Sequence, residues 1–477
     1  MAIERELKFR LPAGAAARTA RALALGAPQR LVSVYFDTSD EALRRARMAL
    51  RLRRGGRGWL QTVKSELAPL ARGEWETEAP AGRLDLARLP LAEIRATTGI
   101  ELAALAPRLK PRFETRFARR RADLRLADAT IEAALDRGAL IAGVRRAPIL
   151  ELELELKSGA PDALLRYAQT LVEPLRLQLA LESKAERGYQ LAHGVRLAPP
   201  RKWQPVALRD ATPHAALAQL VSAALAQAGA NAPGVLASED PEYLHQLRVA
   251  WRRLRAALVA FRALAPNAKG LKRRLRALSP ALGSARDWDV FVASLPAALP
   301  KGNPLFRRAR AQQRKARLAT RTLLSGPLFT AFLLHGFAWV EKARWQSSQQ
   351  SLAEFATHSL ERLHGKAMQK AERMDWQKAA DRHELRIRVK RLRYACDSLA
   401  ESFAAAAVAP YLAALEALQD DLGELNDLAV ARRLAAELGG EAVLARRLGA
   451  RERRFIVRLS RDWAAFAERR PFWRSRS

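Results

Sequence analysis

The opening residues of the chain alternate between two kinds of side chain with a period of two. Glu4, Glu6 and Lys8 occupy every second position, and the positions between and beyond them, such as Ile3 and Phe9, are largely apolar. Residues two apart on a strand point to the same face, so this pattern predicts a strand with two carboxylates and an ammonium on one side. A solvated edge strand would show the same alternation. In the interior of a barrel, however, the three groups would form a site for a metal ion and its polyanionic ligand.

Later stretches have the same two-sided character. Glu151, Glu153 and Glu155 alternate with leucines, and three adjacent like charges are costly unless cations lie between them. Shorter charged faces, with charges of both signs, occur at 51–53, 62–64 and 72–76. Strands with one apolar side and one charged side are typical of a closed antiparallel barrel with a polar lumen.

Apolar spacing also predicts the bounds of the elements in this part of the chain. A period of two predicts strands in the opening ten residues and at 31–38, 47–54, 58–65, 72–79, 112–121, 123–127, 130–136 and 149–157. Helical spacing predicts helices at about 12–25, 161–174 and 182–192. Residues 198–213 contain four prolines. Because proline disrupts both helix and strand, this segment is predicted to be a stiff linker.

From residue 214 onward the apolar spacing is helical, and an internal repeat places basic side chains on one helical face in each copy. The two sets of four, each with spacings of three, four and three, are His245, Arg248, Arg252 and Arg255, and His383, Arg386, Lys390 and Arg393. At about 100° per residue, each set falls within roughly an 80° arc. A solvated arginine-rich face is the ordinary explanation for one such stripe. Two copies that open with histidine weigh against that explanation, and two four-helix bundles related by a pseudo-twofold would place both stripes along one basic groove.

Composition limits the classes of protein that this chain can belong to. With 477 residues, of which 49% are hydrophobic, the chain can form two or three domains with proper cores. The single cysteine, Cys396, excludes an internal disulfide and suits a reducing compartment. The charged opening has no apolar signal core, and the apolar run from Ser325 to Val340 is shorter than the ~20 residues of a membrane span. We therefore expect a cytoplasmic protein without a membrane partner.

The net charge of +34 is unevenly distributed. Residues 1–200 carry 35 basic and 24 acidic side chains, and the remainder carries 48 and 25, so the second part has about twice the excess charge. Such a field attracts a polyanion, whether nucleic acid, anionic lipid or inorganic polyphosphate. Charge alone does not distinguish among the three.

Seven stretches, in order, resemble the motifs of a CYTH domain, the family of triphosphate tunnel metalloenzymes, and in particular its bacterial inorganic triphosphatase branch. They are Glu4, Glu6 and Lys8; Tyr35–Thr38; Arg51 and Arg53; Thr62 and Lys64; Arg72, Glu74 and Glu76; Glu151, Glu153 and Glu155; and Ser183–Tyr189. The resemblance spans about residues 1–195. It implies that the barrel is closed and that its lumen is a tunnel for a triphosphate.

The same resemblance implies roles for individual side chains. Cations that would bind the triphosphate are Lys8, Arg51, Arg53, Lys64, Arg72, Arg119 and Lys184. Carboxylates that would hold a divalent metal, Mg²⁺ or Mn²⁺, are Glu4, Glu6, Glu151, Glu153 and Glu155. The predicted catalytic set is Glu4, Glu6, Lys8, Glu151, Glu153 and Lys184. Within it, the first pair of carboxylates would bind the metal that bridges substrate oxygens, and the second pair would hold another metal or orient the attacking water.

The helical part resembles a CHAD domain, over about residues 214–470. This resemblance implies two four-helix bundles and binding of inorganic polyphosphate by the two sets of basic residues described above. The sequence therefore predicts an α+β multidomain protein. Its parts would be a closed antiparallel β-barrel domain at 1–197, a linker at 198–213 and an all-α domain at 214–470.

The predicted function is metal-dependent hydrolysis of inorganic triphosphate to diphosphate and phosphate, with polyphosphate bound by the helical domain. Two alternatives stay open: a polyphosphate-binding protein without turnover, and a hydrolase of an organic triphosphate such as thiamine triphosphate or a nucleotide. Trp59 and Trp75 stand nearly alone as aromatic residues that could stack on a base within the barrel strands. That scarcity favours the inorganic substrate. Nucleic acid is not expected to be a partner.

Overall fold

The computed structural model describes residues 2–56, 58–208, 211–295, 303–343 and 350–474. The chain forms two compact units. The barrel unit consists of Met1–Arg201 and Gly326–Ala338, and the helical unit consists of Lys202–Ser325 and Trp339–Ser477. The short second segment of the barrel unit contacts its edge directly, because the Thr330 hydroxyl accepts a hydrogen bond from the Leu179 amide at 3.2 Å.

Antiparallel strands build the barrel unit. The strands in the described residues are β1 (Ala2–Arg10), β2 (Gln29–Asp37), β3 (Met48–Gly55), β4 (Gly58–Ala68), β5 (Ala71–Glu78), β6 (Lys110–Arg125), β7 (Ala129–Ala142), β8 (Arg145–Gly159) and β9 (Gln178–Ala180). Their order is β5-β4-β3-β2-β6-β7-β8-β1-β9, and β1 also pairs with β5. That last pairing, of Ala2–Arg5 with Ala71–Glu74, closes eight strands into a ring and confirms the predicted barrel.

The period of two places charge inside the ring and leucine outside it. On β8, Glu151 and Glu153 face the lumen, whereas Leu152 and Leu154 point to the other face and are fully buried. Helix α5 (Pro161–Leu175) covers that outer face with its apolar side. The outer faces of β3, β4 and β5 are covered by residues of α2 (Ala42–Arg45), α3 (Leu91–Thr98) and α4 (Leu102–Leu105). Two further helices of the unit are α1 (Ala16–Ala22) and α6 (Lys184–Ala192).

The structure corrects the prediction of two strands at 112–121 and 123–127, because it has the single strand β6 there. Ala122, between the two predicted strands, pairs with Ala133 of β7, and the ladder continues on both sides of it. Residues 112–127 contain neither glycine nor proline to interrupt the pairing. β7 likewise extends past the predicted end at residue 136.

The second unit is helical throughout its described residues, apart from short 3₁₀ turns and loops. Its helices, together with α11, which spans residues of both units, are α7 (Pro213–Ala237), α8 (Pro241–Ala260), α9 (Lys269–Ser294), α10 (Pro304–Ser325), α11 (Pro327–Ala343), α12 (Leu352–Glu372), α13 (Ala379–Leu399), α14 (Ala405–Glu437) and α15 (Glu441–Ala467). The predicted linker has neither helix nor strand up to Thr212 in its described part; Arg209 and Asp210 lie outside the described residues.

The helices pack as two sets of four that correspond to the two sequence repeats. In the first set α7 packs on α8 and α9 on α10, and in the second α12, α13, α14 and α15 pack in succession. The sets meet through equivalent helices, because α8 contacts α13 and α9 contacts α14. Contact between equivalent elements is the arrangement that a pseudo-twofold produces.

Helix α7 is long and apolar enough to span a membrane, and 67% of its most apolar window is buried inside the protein. The consecutive helices α10 and α11 also pass such a test if they are counted as one span, although they are bent by 54°. The core helix of a water-soluble protein has the same length and composition as α7, so these helices are weak indications of a membrane.

Candidate functional site

The charged face of β1 lies in the barrel lumen. Glu4 and Lys8 are buried, and Glu6 Oε2 lies 2.8 Å from Lys8 Nζ. Register explains the neighbours, because Lys8 is opposite Glu153 of β8. Arg72 of β5 reaches the same group, with Nη1 at 3.9 Å from Glu6 Oε2. The predicted triplet therefore faces inward as a mixed cluster of acid and base.

One wall of the lumen, formed by β3, β4 and β5, pairs each predicted cation with a carboxylate. Lys64 Nζ lies 2.6 Å from Glu4 Oε2 and 3.3 Å from Glu74 Oε1. Arg53 contacts Glu76 at 2.9 Å. Arg51 Nη2 lies 3.9 Å from Glu74 Oε1, on the same strand as Glu76. Charges of this wall thus compensate one another before any ligand is considered.

The other wall combines β6, β7 and β8 with the first turn of α6. Lys184 Nζ lies 2.6 Å from Glu153, 2.8 Å from Asp136 and 2.9 Å from Glu151. Arg119 donates two hydrogen bonds to Asp136, each 2.7 Å long, and a further one to Glu153. The predicted Lys184, Arg119, Glu151 and Glu153 therefore form one buried network.

The N-terminal cap of α6 and its packing against the barrel position Lys184 in this network. The Ser183 hydroxyl accepts a hydrogen bond from the Glu186 amide at 3.0 Å, so the helix begins at Lys184. Tyr189 donates a hydrogen bond of 2.7 Å from its hydroxyl to the buried carboxylate of Asp37. Gly188 permits the close approach, because a Cβ there would lie 2.1 Å from the Phe113 ring. The helix is therefore seated firmly against the barrel.

The lumen charges hold one another in the ionised form. Burial opposes the charge of Lys184 and of Lys64, but the facing carboxylates outweigh it and raise the pKa of both ammonium groups. Burial likewise opposes ionisation of Glu153, but Lys184 and Arg119 hold the pKa of that carboxyl well below its usual range. Lys8 differs from the other lysines, because burial and then the charge of Arg72 lower its pKa.

The carboxylates of β1 fit a hard divalent cation. Glu6 Oε2 is buried, and apart from its ion pairs with Lys8 and Arg72 it makes no aligned hydrogen bond. Within the described residues, no three side chains of His, Cys, Asp or Glu converge closely enough to hold a metal ion by themselves. A Mg²⁺ site needs only one or two carboxylates when substrate phosphates supply the other oxygens. Glu4 and Glu6 are therefore suitable ligands in number, chemistry and position.

Glu155 lies opposite Glu6 in the β1–β8 ladder but takes no part in the network around Lys184. Its carboxylate contacts Lys157 at 2.7 Å, and that lysine is nearly half exposed. Burial raises the pKa of Glu155 in spite of the hydrogen bond from Lys157. The structure therefore places Glu155 at the margin of the cluster rather than within the network around Lys184.

Two residues of the lumen network were not among the predicted site residues. Asp136 is fully buried and contacts both Arg119 and Lys184. Its signal in the sequence was the even spacing from Glu132, which puts both on one strand face. Arg187 contacts Glu151. It follows Lys184 by three residues, so the two share a helical face.

In the helical unit, four arginine and lysine residues among the eight predicted groove residues lie close enough to influence one another electrostatically. They are Arg248 and Arg252 on α8 and Arg386 and Lys390 on α13. The Nε atoms of Arg248 and Arg386 are buried without a hydrogen bond. These four residues are called the groove cations below.

The other four predicted groove residues have different surroundings. Arg255 donates a hydrogen bond to Ser279, and Arg393 forms an ion pair of 2.7 Å with Glu416. His383 Nδ1 lies 2.9 Å from Asn426 Oδ1. Burial and then the charge of Arg286 lower the pKa of His245, which lies beside the groove cations.

Three of the groove cations are largely buried, and the carboxylates near them do not balance their charge. Burial and then the neighbouring Arg386 lower the pKa of Lys390 to about 7. Burial lowers the pKa of Arg248 to about 10, although Asp287 partly compensates it. Burial lowers the pKa of Arg386 as well, again with an aspartate, Asp427, acting in the opposite direction. An anion placed beside Lys390, Arg248 and Arg386 would raise the pKa of each of these groups.

Comparison with known proteins gives a separate match for each unit. Residues 2–189 match the CYTH domain family, and residues 219–436 match the CHAD domain family. The inorganic triphosphatase of Haemophilus influenzae is 32% identical over 168 residues, which are 34% of this chain and 46% of that protein. The match therefore spans less than half the length of that relative.

The helical unit also resembles a solved structure. The crystal structure of the CHAD domain from the plant Ricinus communis is 32% identical, with a TM-score of 0.50. The match covers 57% of this chain and 98% of that chain. Together with the closed barrel, its lumen and the two family matches, this similarity establishes that the chain belongs to the CYTH–CHAD proteins, with a CYTH domain followed by a CHAD domain.

Proposed function

We propose that the CYTH barrel hydrolyses inorganic triphosphate to diphosphate and phosphate with the help of a divalent metal ion. The observation that carries this proposal is the convergence of cations and ionised carboxylates from β1, β3–β8 and α6 on one lumen. A triphosphate needs cations on several sides and a metal to neutralise its oxygens. Similarity to the Haemophilus influenzae inorganic triphosphatase supports the same substrate.

In this proposal, the cations of the lumen exchange their carboxylate partners for the phosphates of the substrate. Arg51, Arg53 and Lys64 contact glutamates across one wall, and a phosphate that enters would take the place of those carboxylates. Arginine can hold two phosphate oxygens at once, and lysine supplies a compact charge. Lys184 and Arg119, on the other side of the ring, would contact the far end of the same ligand.

The chemistry requires a metal site and an oriented water. Glu4 and Glu6 would hold the metal, and Glu151 and Glu153 would hold a second ion or orient the water, with Glu155 at the margin. A bound divalent ion neutralises charge on the phosphoryl group and lowers the pKa of water. The water oxygen forms a bond to phosphorus, the bond to the diphosphate oxygen breaks, and a proton is released. Positioning by the lumen side chains supplies much of the acceleration.

We infer in addition that the CHAD domain binds inorganic polyphosphate. The groove cations support this inference, because they are partly buried and insufficiently compensated by carboxylates. A flexible chain of phosphates can follow such a groove, and it has no base edges that a protein would need to read. Binding should therefore depend on charge and spacing and should weaken with salt.

Phosphate release from several substrates tests the catalytic proposal. The full chain is assayed with inorganic triphosphate, thiamine triphosphate and ATP, each with Mg²⁺ or Mn²⁺. We expect kcat/KM for inorganic triphosphate to exceed that for ATP by at least about 100-fold, because the cations of the lumen are suited to binding phosphates and not to recognising a base. Comparable values for ATP or thiamine triphosphate would favour an organic substrate, and no turnover with any of them would favour a binding protein.

A further inference from the structure

A stack of three side chains connects the linker to the groove cations within the helical unit. The guanidinium carbon of Arg253, on α8, lies 4.4 Å from the centroid of the Trp203 ring and 5.2 Å from that of the Tyr394 ring. Trp203 belongs to the linker segment before α7, and Tyr394 belongs to α13. Arg253 therefore holds together aromatic residues from two distant parts of the sequence.

The guanidinium of Arg253 depends on these rings. Its Nη2 forms an ion pair of 2.6 Å with Asp397, and its side chain is only 15% exposed. Its Nε and Nη1 are buried and make no hydrogen bond. Unpaired buried donors are costly, and contact with the face of an aromatic ring is the attraction that can offset this cost. The stack is therefore a specific arrangement and not a chance surface contact.

Tyr394 links the stack to the groove. Its hydroxyl accepts a hydrogen bond from Arg252 Nε at 3.0 Å. Over the part of the chain that the structure describes, this hydroxyl donates to no other group. A phenol that accepts from one partner can still donate its own proton. That proton is available to an anion bound beside Arg252.

We propose that Trp203 and Arg253 are positioning residues of the polyphosphate groove, which hold Tyr394 so that its hydroxyl and Arg252 contact the same phosphate. The inference rests on the proposed binding of polyphosphate by the CHAD domain. Arg252 and Tyr394 have little rotamer freedom left to lose when the ligand binds, and such preorganisation strengthens binding without a new contact. The linker thereby completes a binding site that the bundles alone would leave loosely ordered.

The sequence repeat shows that the stack is a feature of one half of the groove. Arg253 lies eight residues after His245, and Arg391 lies eight residues after His383. Arg391 is exposed, and within the described residues no aromatic ring contacts it. The repeat itself therefore does not require the stack.

Calorimetric titration of the full chain with long-chain polyphosphate, at several salt concentrations, tests the proposal. Trp203→Leu and Tyr394→Phe should each weaken binding about 5-fold, the effect of losing roughly one hydrogen bond. The double variant should also lose only about 5-fold, because both changes act on one contact. The slope of affinity against salt should stay at its wild-type value, since neither change removes a charge.

Two arginine variants complete the test. Arg253→Lys keeps the charge but loses the planar group, so it should weaken binding as Trp203→Leu does. Arg458→Lys is the matched control. Arg458 also stacks on a ring, at 4.6 Å from the Phe455 centroid, and also binds an aspartate, but it lies on α15. Polyphosphate affinity should be unchanged in this variant.

The outcomes separate the inference from the function on which it rests. Wild-type affinity in both Trp203→Leu and Arg253→Lys, with unfolding midpoints that show a folded chain, would overturn the positioning role. So would losses that multiply to about 25-fold in the double variant, because independent sites behave in that way. A wild-type chain that does not bind polyphosphate at all would instead overturn the proposed function of the CHAD domain, and this inference with it.

Discussion

The barrel lumen and the helical groove are both rich in cations, but they differ in how far carboxylates balance the charge of those cations. In the lumen, Lys184 contacts three carboxylates within 2.9 Å, and its pKa is raised well above its usual value. In the groove, burial lowers the pKa of Lys390 to about 7. One site holds its positive charge in internal ion pairs, and the other holds it largely uncompensated.

This difference indicates two modes of anion binding. Phosphates entering the lumen must replace carboxylates, which then require a cation of their own, and a divalent metal can supply it. Phosphates entering the groove need to replace only water and salt ions. We therefore expect anion binding to require a metal in the barrel and to require none in the groove.

The largest effect is expected from the carboxylates that we propose hold the metal or orient the water. Glu6→Gln and Glu153→Gln should each lower kcat for triphosphate about 1000-fold, which is in the range found for loss of one electrostatic catalytic group. Both variants should still fold, although Glu153→Gln should lower the free energy of unfolding, because Lys184 and Arg119 lose a paired carboxylate. Phosphate release at saturating metal is the measurement.

Glu114→Gln is the control for these two variants. Glu114 pairs with Arg116 on the outer face of β6, and it is partly exposed. Its replacement should leave kcat unchanged. Near-normal turnover in both lumen variants would show that the assigned carboxylates are not part of the reaction.

The next largest effect concerns the groove. Replacing the four groove cations Arg248, Arg252, Arg386 and Lys390 together with alanine should weaken polyphosphate binding at least about 100-fold, because several charge-assisted contacts are lost at once. Calorimetry on the full chain measures this loss. Triphosphatase activity of the same variant should be unchanged.

A second quadruple variant separates the groove from bulk charge. Arg446, Arg447, Arg453 and Arg454 lie on α15, outside the two stripes. Replacing them removes the same formal charge and should weaken binding far less. Equal losses in the two quadruple variants would mean that only the net charge of +34 matters.

A smaller effect is expected from pH. Lys390 carries its charge below its pKa of about 7 and loses it as the pH rises through that value. Polyphosphate affinity should therefore fall about 5-fold between pH 6 and pH 8, as one charged contact is lost. Lys390→Arg keeps the charge throughout this range and should flatten the dependence. A profile that stays equally steep in that variant would assign the titration to another group.

The faces of the barrel strands could be predicted from the sequence, but not all of their boundaries could. Strand faces follow from a period of two, so the shared face of Glu4, Glu6 and Lys8 was predictable from their spacing. The charged strand faces predicted a closed barrel, and the pairing of β1 with β5 closes it. The strand boundary at Ala122 was predicted wrongly, because side-chain alternation does not show where pairing continues on a neighbouring strand.

The partners of individual side chains could not be predicted from the sequence. Spacing placed Arg255 and Arg393 in the same stripes as the groove cations, yet Arg393 reaches Glu416 and Arg255 reaches Ser279. Such choices depend on side-chain reach across helices that are distant in sequence. The Trp203 stack is of the same kind, because nothing in the linker alone specifies contact with Arg253.

Metal dependence of binding is the measurement that tests the contrast most directly. An imido analogue of triphosphate, which resists hydrolysis, is titrated by calorimetry into the quadruple groove variant, first with EDTA and then with Mg²⁺, and long-chain polyphosphate is titrated into the wild-type chain with EDTA. We predict that the analogue binds the barrel only with Mg²⁺, whereas polyphosphate binds the groove without it. Tight binding of the analogue to the groove variant in EDTA, or loss of polyphosphate binding in EDTA, would contradict this account.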